Sequence, residues 1–370
     1  MTALLVWLAV TGVLVGVLWL AYRTPPVIAV TRDVPSRAFQ GSRVPLGVQV
    51  TLHSRLPLRF TLDDPTPRAV VPDMPVTLVG AGVGEVTVEF HTTLDLNRRG
   101  VHAWPGATLR WADPLGLFWR SVPVLAPHSV LVYPGTHGLV LPELLRPLLS
   151  EGGLTRRLGL DDPLSLRGVR EYVPGDPPGR VHWRLTARTG TLTVRDPERT
   201  AASSVTVYVD TGSGTEVSLE STVRLAASLV QEAMALELPV AVALPGSVSP
   251  VGTGAAAVQG ALHLLARAAL APGEPSIPPT RAGGNLFILT TRPRAALITQ
   301  AMHARAHASR VVLIALPEGY YLEPGETPRR QWAGLPDAVR DLERQAGALA
   351  GAGILVYILR GNQSVLQLGT

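Results

Sequence analysis

The stretch Val205–Asp210, VTVYVD, decides the fold of the second half of the chain. It is a short, almost wholly apolar run that ends on one carboxylate, and a helix-like pattern follows it over Glu216–Leu236. The same rhythm repeats downstream, where short apolar runs alternate with helical segments. Buried strands that alternate with helices are typical of a mostly parallel sheet covered on both faces. We therefore predict an α/β domain over residues 201–370.

Four further strands and three further helices complete the predicted series. The strands are Pro239–Leu244, Asn285–Thr291, Arg310–Leu316 and Ile354–Leu359, and the helices are Ala255–Ala269, Pro293–Ala308 and Leu335–Ala352. Ligands of such sheets bind beyond the carboxyl ends of the strands. Asp210 follows the first strand directly, so it is a candidate binding residue.

Residues 27–133 have a different pattern, with a period of two. In Val44–Leu52 every second residue is apolar, and the residues between them are Pro45, Gly47, Gln49 and Thr51. This alternation indicates strands with one buried face, and proline or glycine recurs about every 8–12 residues, as in a β-sandwich. We predict an immunoglobulin-like β-sandwich here. Within it, Gly80–Gly84 is not followed by a helix, which favours a hairpin turn over a phosphate-binding loop.

The N-terminal run Ala3–Tyr22 contains no charged residue. About 20 helical residues cross the hydrocarbon core of a bilayer, so residues 1–24 are predicted to form a transmembrane helix. Trp19 and Tyr22 lie where interfacial aromatic residues are expected. A cleaved signal peptide is the alternative, but no arginine or lysine precedes the run and no small-residue cleavage site follows it.

Basic residues come directly after this run, and they predict its orientation. The positive-inside rule places the flank that is rich in arginine in the cytoplasm. We therefore expect a single-pass protein of the cell membrane with its soluble domains in the cytoplasm. The residues concerned are Arg23, Arg32 and Arg37.

The composition excludes several kinds of chemistry. The 370 residues include no cysteine, which excludes disulfides, thiol nucleophiles and cysteine-ligated metals. They include no lysine, which excludes Schiff-base chemistry and the lysine of a P-loop. The net charge is only +5, and the arginines are spread without a dense run. We therefore expect no nucleic acid as a partner.

The segment between the two predicted domains, residues 134–200, carries a specific resemblance. It reads LRGVREYVPGDPPGRVHWRLTARTGTLTVRD over Leu166–Asp196. This resembles the signature of the DUF58 family, and upstream Arg98-Arg99-Gly100 and the stretch DPLGLF at 113–118 resemble a second family motif. The matching signature residues are Arg170, Glu171, Tyr172, Gly175, Asp176, Arg180, His182, Trp183, Ala187 and Arg188.

The resemblance implies a fold and a function that residue patterns alone do not. It implies that the α/β domain is von Willebrand factor A-like and follows the β-sandwich. DUF58 proteins are typically encoded beside MoxR-type AAA+ ATPases and are thought to act with them as membrane-bound adaptors or chaperone components. We therefore expect a non-enzymatic adaptor with such an ATPase and the membrane lipid as partners.

A von Willebrand A domain commonly binds Mg²⁺ through D-x-S-x-S, a threonine and a second aspartate, oxygen ligands that suit a hard cation. Here Asp210 matches, but glycines occupy both serine positions and Thr291 occupies the place of the second aspartate. We expect a degenerate site at Asp210, Ser213 and Thr291 that holds no metal, with Arg292 adding positive charge. If the loop shifted by one residue, the hydroxyls of Thr211 and Ser213 could take the two serine positions. Mg²⁺ binding is therefore the alternative.

The signature residues also admit a catalytic interpretation. Asp176 and His182 have the types of an acid–base pair, and Ser203 or Ser213 would be the nucleophile of a hydrolase. No G-x-S-x-G motif supports this, so we expect no catalytic residue and assign the signature a structural or interaction role. We expect Trp183 to be buried between the segment and the α/β core.

The signature segment is also locally basic, which fits an acidic protein surface or the anionic inner leaflet. Three function classes follow from the sequence. They are a membrane-anchored adaptor, a metal-dependent adhesion-like binding module and, least favoured, a hydrolase.

Overall fold

The computed structural model describes residues 2–135, 160–173, 181–200, 204–280, 284–317, 337–359 and 365–368. The chain divides into two compact units, Met1–Gly135 and Thr136–Thr370. The first unit contains one helix and nine strands, and the described part of the second contains five helices and nine strands. Each unit has its own hydrophobic core.

The first helix, α1 (Thr2–Ala21), is long and apolar enough to span a membrane. All of its side chains are exposed except that of Leu18, which packs on the core of the first unit. A helix that is apolar on every side needs an apolar surrounding, either lipid or the interior of a protein. The described residues of this chain do not supply that surrounding.

The rest of the first unit is a large antiparallel β-rich region, which confirms that part of the prediction. Six strands form one sheet in the order β4-β5-β3-β7-β8, with β1 paired to β3, and the order β2-β9-β6 forms a second. The strands are β1 (Val27–Asp33), β2 (Arg37–Phe39), β3 (Arg43–Asp63), β4 (Val70–Pro72), β5 (Thr77–Leu96), β6 (Gly100–Ala103), β7 (Ala107–Ala112), β8 (Arg120–Val124) and β9 (Ser129–Tyr133).

The period-two pattern of β3 matches its burial. Over residues 44–52 and 58–62 the even-numbered residues face the core, and the odd-numbered ones are exposed or half-buried. This is the result expected when one face of a strand is covered. The buried residues of the predicted strand are Val44, Leu46, Val48, Val50 and Leu52.

The long β3–β5 hairpin is folded over on itself. Strand β4 pairs with residues 94–96 at the end of β5, although only residues 73–76 connect it to the start of β5 at Thr77. A straight strand from Thr77 to Leu94 would be about 56 Å long. The connection from Pro72 to Thr77 reaches about 18 Å at most. The hairpin therefore bends, and its two halves lie face to face.

The bend coincides with an irregularity in the β3–β5 ladder between Ser54 and Leu58, opposite Gly82 and Gly84. The prediction of a hairpin turn at Gly80–Gly84 is wrong, because these residues lie inside β5. The glycines serve close packing instead. A Cβ atom at Gly80 would lie 2.5 Å from the Phe60 ring, and Gly84 has a φ of +79°, which favours glycine.

A buried ion pair links β1 to the residue that follows β3. Arg32 donates to both oxygens of Asp64, from Nε at 2.7 Å and from Nη2 at 2.6 Å, and also to the carbonyl of Ala126. The two side chains are 1% and 0% exposed. The Arg32 guanidinium also lies 5.8 Å from the centroid of the Trp104 ring, which in turn makes an edge contact with His128. This pair joins the two halves of the folded hairpin.

The described part of the second unit begins with a two-stranded antiparallel ribbon and a short helix between its strands. These are β10 (Leu160–Glu171), α2 (Trp183–Thr189) and β11 (Thr193–Thr200). A seven-stranded sheet follows in the order β14-β13-β12-β15-β16-β17-β18. Its strands are β12 (Val205–Val209), β13 (Val240–Leu244), β14 (Ser247–Val248), β15 (Asn285–Thr290), β16 (Arg310–Ala315), β17 (Ile354–Leu359) and β18 (Val365–Leu368).

The five central strands of this sheet, in the order β13-β12-β15-β16-β17, pair in parallel. Nearly every residue of these strands is buried, so both faces of the sheet are covered. The helices are α3 (Glu216–Ala235), α4 (Ala255–Ala266), α5 (Ala295–Ala304) and α6 (Asp337–Gly351). Their bounds lie within four residues of the predicted ones.

Candidate functional site at the carboxyl ends of the strands

The strand pairing brings the candidate residues of the α/β sheet together. Strands β12 and β15 are parallel neighbours, with Val209 opposite Leu289. The residues that follow these two strands therefore meet at one edge of the sheet. Asp210 comes directly after β12, and Thr290 and Thr291 lie at the end of β15.

The Asp210 carboxylate, 1% exposed, accepts hydrogen bonds from four donors. Its Oδ1 receives the backbone N–H of Gly212 at 3.0 Å and Arg294 Nη2 at 3.4 Å. Its Oδ2 receives the hydroxyls of Ser213 at 3.0 Å and of Thr290 at 2.8 Å. An ionised carboxylate has about four lone-pair sites, and the protein itself fills all of them.

Arg294 also joins this carboxylate to a segment that lies over the strand ends. Its Nη1 donates to the carbonyl of Gly273 at 2.8 Å. Two further bonds hold the same segment, one from Ala271 N to the carbonyl of Thr211 at 3.0 Å and one from Ser276 N to the hydroxyl of Tyr208 at 3.2 Å. We call residues 271–277 the strap. It covers the edge where ligands of parallel sheets bind.

The glycines of the first loop are explained by this arrangement. A Cβ atom at Gly212 would collide with Arg294 Nη2, and one at Gly214 would lie 2.5 Å from Thr291 Oγ1. Gly214 also has a φ of +94°. A serine at either position would therefore displace Arg294 or Thr291, so the loop that holds the arginine cannot hold the two serines of the metal-binding pattern.

Burial changes the pKa of Tyr208, which lies two residues before Asp210. Tyr208, the fourth residue of β12, is fully buried, and its burial raises the pKa of its phenol to about 12. It is therefore neutral at every physiological pH and acts as a hydrogen-bond acceptor for the strap.

The structure brings the three residues of the predicted degenerate site together. Ser213 donates to Asp210, and the Thr291 hydroxyl donates to the Ser213 carbonyl at 3.0 Å. Arg292, expected to supply the nearby charge, is exposed, and Arg294 supplies it instead. Sequence reasoning missed Arg294 and the Thr290 hydroxyl, because neither belongs to the metal-binding pattern.

This donor set does not fit Mg²⁺. The edge offers one carboxylate, whose oxygens are already occupied, and the nearest charged group is a guanidinium. Mg²⁺ needs one or two carboxylates, usually with phosphate, and near-octahedral geometry. Across the described residues, no group of three or more histidine and acidic side chains is arranged to hold a metal.

The described residues of the central signature have structural contacts. Arg170 lies on β10 opposite Val194, and the Tyr172 backbone N–H donates to the Leu192 carbonyl at 2.8 Å. His182 caps helix α2, because its Nδ1 accepts from Leu185 N at 3.2 Å. The predicted residues Gly175, Asp176 and Arg180 lie outside the described residues. Ser203, a predicted nucleophile, does as well.

The expected burial of Trp183 is wrong. Its side chain is 67% exposed at the first position of α2. The helix has seven residues and none is buried, although Leu185 and Thr186 are half-buried. Arg188 lies in the last turn of the same helix, where a positive charge interacts favourably with the helix dipole, and is exposed.

The second unit, which we call the α/β unit, therefore has a parallel sheet in which Arg294 and the strap close the edge where ligands usually bind. Residues 168–314 match the family described as "Protein of unknown function DUF58". The match includes most of the signature and the whole strand edge around Asp210. It confirms the DUF58 resemblance over these residues.

Solved structures resemble about 30% of the chain. A PapD-like domain of human CEP192 has 10% identity, a TM-score of 0.22 and coverage of 28% of this chain and 84% of that one. A FixG-related protein from Vibrio parahaemolyticus has 13% identity, a TM-score of 0.19 and coverage of 30% and 97%. These TM-scores are too low to carry an argument about fold or function. No curated protein matches the chain.

Proposed function

We propose that the chain is a membrane-anchored, non-enzymatic adaptor or chaperone component that acts with a MoxR-type AAA+ ATPase. The proposal includes an immunoglobulin-like first unit and a von Willebrand A-like second unit. The observation that carries it is the exposure of Trp183 in the middle of the family signature. A tryptophan exposed to water at 67% is unusual unless a partner covers it.

Trp183 belongs to a larger apolar surface on the β10–β11 ribbon. Val173 is 58% exposed and Leu192 is 41% exposed. The backbone bonds from Tyr172 N to Leu192 O and from His182 N to Thr193 O bring these segments side by side. We call Val173, Trp183 and Leu192 the signature patch. An exposed tryptophan flanked by aliphatic side chains has the composition of a protein-binding hot spot.

Positive charge borders the signature patch. Arg184 and Arg188 are exposed on α2, in the same helix as Trp183. Interface cores favour tryptophan and arginine, and charged rims steer association with a surface of opposite sign. An acidic surface of the ATPase is therefore the partner chemistry that this proposal predicts.

The closed strand edge favours a binding role over catalysis or metal-dependent adhesion. Asp210 has no free lone pair, and the His182 Nδ1 atom is occupied by its cap hydrogen bond. A general base needs a free lone pair within reach of its substrate. Asp210 and His182 therefore both hold the local structure in this arrangement.

The test uses the full-length protein in detergent micelles and a purified MoxR-type ATPase from the same genome. We expect a complex in size-exclusion chromatography, and we expect Trp183→Ser to weaken binding at least about tenfold, the loss of a hot-spot residue. Val71→Ser, which removes an apolar side chain 50% exposed on the first unit and far from the 113–119 loop, is the control. Wild-type binding by Trp183→Ser would contradict the proposed surface, and no complex with the wild type would contradict the proposed partner.

We propose further that α1 anchors the protein with both units in the cytoplasm. The support is the apolar helix and the three arginines that follow it, Arg23, Arg32 and Arg37. Protease added to intact spheroplasts is expected to spare both units and to digest them only after lysis. Digestion in intact spheroplasts would reverse the proposed orientation.

A further inference from the structure

The loop between β7 and β8, residues 113–119, displays apolar side chains to solvent. Leu115 is 71% exposed, Leu117 is 57% exposed and Trp119 is 46% exposed. Leu56, which is 40% exposed, lies on the neighbouring bend of β3. Three large apolar residues in one seven-residue loop would be costly in water without a function.

The loop is a built structure rather than a loose connection. Asp113, fully buried, accepts backbone N–H bonds from Leu115 and Leu117 at 2.9 Å and from Phe118 at 2.8 Å. A carboxylate that binds three amides fixes the course of the chain around it. The exposed position of Leu115 and Leu117 is therefore set by a buried group of the same unit.

The end of α1 contacts the same end of the strands of the first unit, which we call the β unit. Arg120, directly after the loop, donates to the carbonyl of Trp19 at 3.2 Å. Trp111, directly before Ala112, donates to the carbonyl of Tyr22 at 3.2 Å, and the Tyr22 hydroxyl donates to the carbonyl of Pro57. Trp19 lies two residues before the end of α1, which is about 3 Å along the helix axis. The loop is therefore level with the end of the apolar helix.

Two arginine–tryptophan pairs lie at this level. The Arg120 guanidinium is 5.1 Å from the ring centroid of Trp19, and that of Arg110 is 5.5 Å from the ring centroid of Trp119. Tryptophan prefers the boundary between headgroups and acyl chains, and arginine reaches from there to water and phosphate. Trp19 is on the helix and Trp119 is in the loop, and each lies beside an arginine of a neighbouring strand, which is the composition of a membrane interface.

We propose that the 113–119 loop inserts into the bilayer interface beside α1, so that the bent end of the β unit sits directly on the membrane. The occupant of the apolar surface is the lipid surface, because the helix that must cross the bilayer ends against this loop. Interfacial insertion places apolar side chains about 5–10 Å into the headgroup and acyl boundary. This inference rests on the proposed membrane anchor.

The chain has no cysteine, so a single introduced cysteine gives a unique labelling site. Leu117→Cys carries an environment-sensitive fluorophore in the full-length protein reconstituted in liposomes. The liposomes contain a lipid with a nitroxide quencher near the headgroup end of its acyl chain. We expect a blue-shifted emission and a clear loss of fluorescence with the quencher lipid, relative to liposomes that lack it.

Val71→Cys is the matched control, because Val71 is an apolar residue 50% exposed on the same unit. Its strand partner is Asp95, eleven residues beyond Gly84 at the bend, about 36 Å along the strand. We expect no quenching there. Since the same fluorophore is used, equal quenching at Val71 would show that the label itself or a flat orientation causes the contact, and would overturn the inference.

Trp7→Cys separates this inference from the anchor itself. Trp7 is 73% exposed in the first half of α1, and a nitroxide in the middle of the acyl chain is expected to quench a label there. Quenching at Trp7 without quenching at Leu117 would refute the loop insertion and keep the anchor. No quenching at Trp7 would refute the anchor, and the loop inference would fall with it.

Discussion

The two units each contain an aspartate–arginine pair, and the pairs differ in every respect that matters. Asp64 and Arg32 form two short bonds, at 2.6 and 2.7 Å, and both side chains are fully buried. Asp210 and Arg294 form one contact at 3.4 Å, and the arginine side chain is 32% exposed. The first pair closes the core of the β unit, whereas the second closes an edge where related folds bind ligands.

The difference shows how context decides the role of one chemical pair. Two buried charges are tolerated only when each satisfies the other, so the first pair stabilises one packing of the folded hairpin. Around Asp210, three neutral donors share the carboxylate with the arginine, so the charge is neutralised in a region that solvent still reaches. Four tests would break or sharpen this comparison, and they are ordered from the largest expected effect to the smallest.

Asp64→Ala is expected to lower the free energy of unfolding of the β unit by about 3–5 kcal/mol, because it leaves Arg32 buried without its partner. Urea unfolding of the full-length protein in detergent, followed by tryptophan fluorescence, measures this. The double variant Arg32→Met with Asp64→Leu is the control, and it should be far closer to the wild type because no charge stays unpaired. A loss below about 1 kcal/mol in Asp64→Ala would match a surface pair and contradict the burial.

Asp210→Ala is expected to cost about 2 kcal/mol in the α/β unit, because it removes the acceptor of four donors. The loss stays smaller than that of Asp64→Ala, since water can reach the partly exposed Arg294. Asp210→Asn keeps one acceptor oxygen and should lie between the wild type and Asp210→Ala. Thermal unfolding of the three proteins in parallel gives the order, and a larger loss than for Asp64→Ala would reverse the comparison.

The β unit is expected to lose stability in mild acid. Burial, and secondarily the charge of Arg32, lower the pKa of His128 below its ordinary value of 6.5. The unfolded chain therefore binds a proton at a higher pH than the folded one. Stability from this group is complete above about pH 6.5 and declines as the pH falls from there through the folded pKa.

Urea midpoints of the full-length protein between pH 7.5 and 5.5 measure this effect. His128→Gln removes the titrating group and is expected to show a weaker decline than the wild type over the same range. Equal declines in the two proteins would show that other groups cause the acid sensitivity and that His128, beside the Arg32–Asp64 pair, does not contribute to it.

Magnesium is expected to leave the α/β unit unchanged. A metal that bound only the folded state at 100 times its Kd would stabilise it by about 2.7 kcal/mol, which is easily seen in thermal unfolding. We expect the same unfolding temperature in millimolar Mg²⁺ and in chelator, because Arg294 already neutralises Asp210. A stabilisation by Mg²⁺ that is absent in Asp210→Ala would restore the metal-dependent adhesion hypothesis.

The elements of both units were largely predictable because their residue patterns are local. In β3 the alternation of apolar residues follows from one covered face, and in the α/β unit the apolar runs of β12 to β17 follow from two. Predicted and observed ends differ by at most four residues, for instance at α5, which spans Ala295–Ala304 instead of 293–308. The bend of the β3–β5 hairpin was not predictable, because glycines inside a strand and glycines in a turn look the same in sequence.

The candidate site was predictable only in part. Asp210, Ser213 and Thr291 follow a known spacing, so their meeting at the strand ends could be expected. The roles of Arg294 and the strap depend on bonds between segments that are 21 to 84 residues apart in sequence. No local pattern encodes such distances.

The sequence by itself determined the apolar helix, the two kinds of strand and the DUF58 signature, because each is written in the spacing of neighbouring residues. Only the tertiary structure decided that Trp183 is exposed, that Arg294 closes the strand edge and that the 113–119 loop lies beside the end of α1. The physical reason is that burial and pairing depend on which distant segments pack together. The residue type of a tryptophan or an arginine does not show whether it lies in a core, at an interface or at a membrane. Its role depends on the residues that surround it in the folded structure.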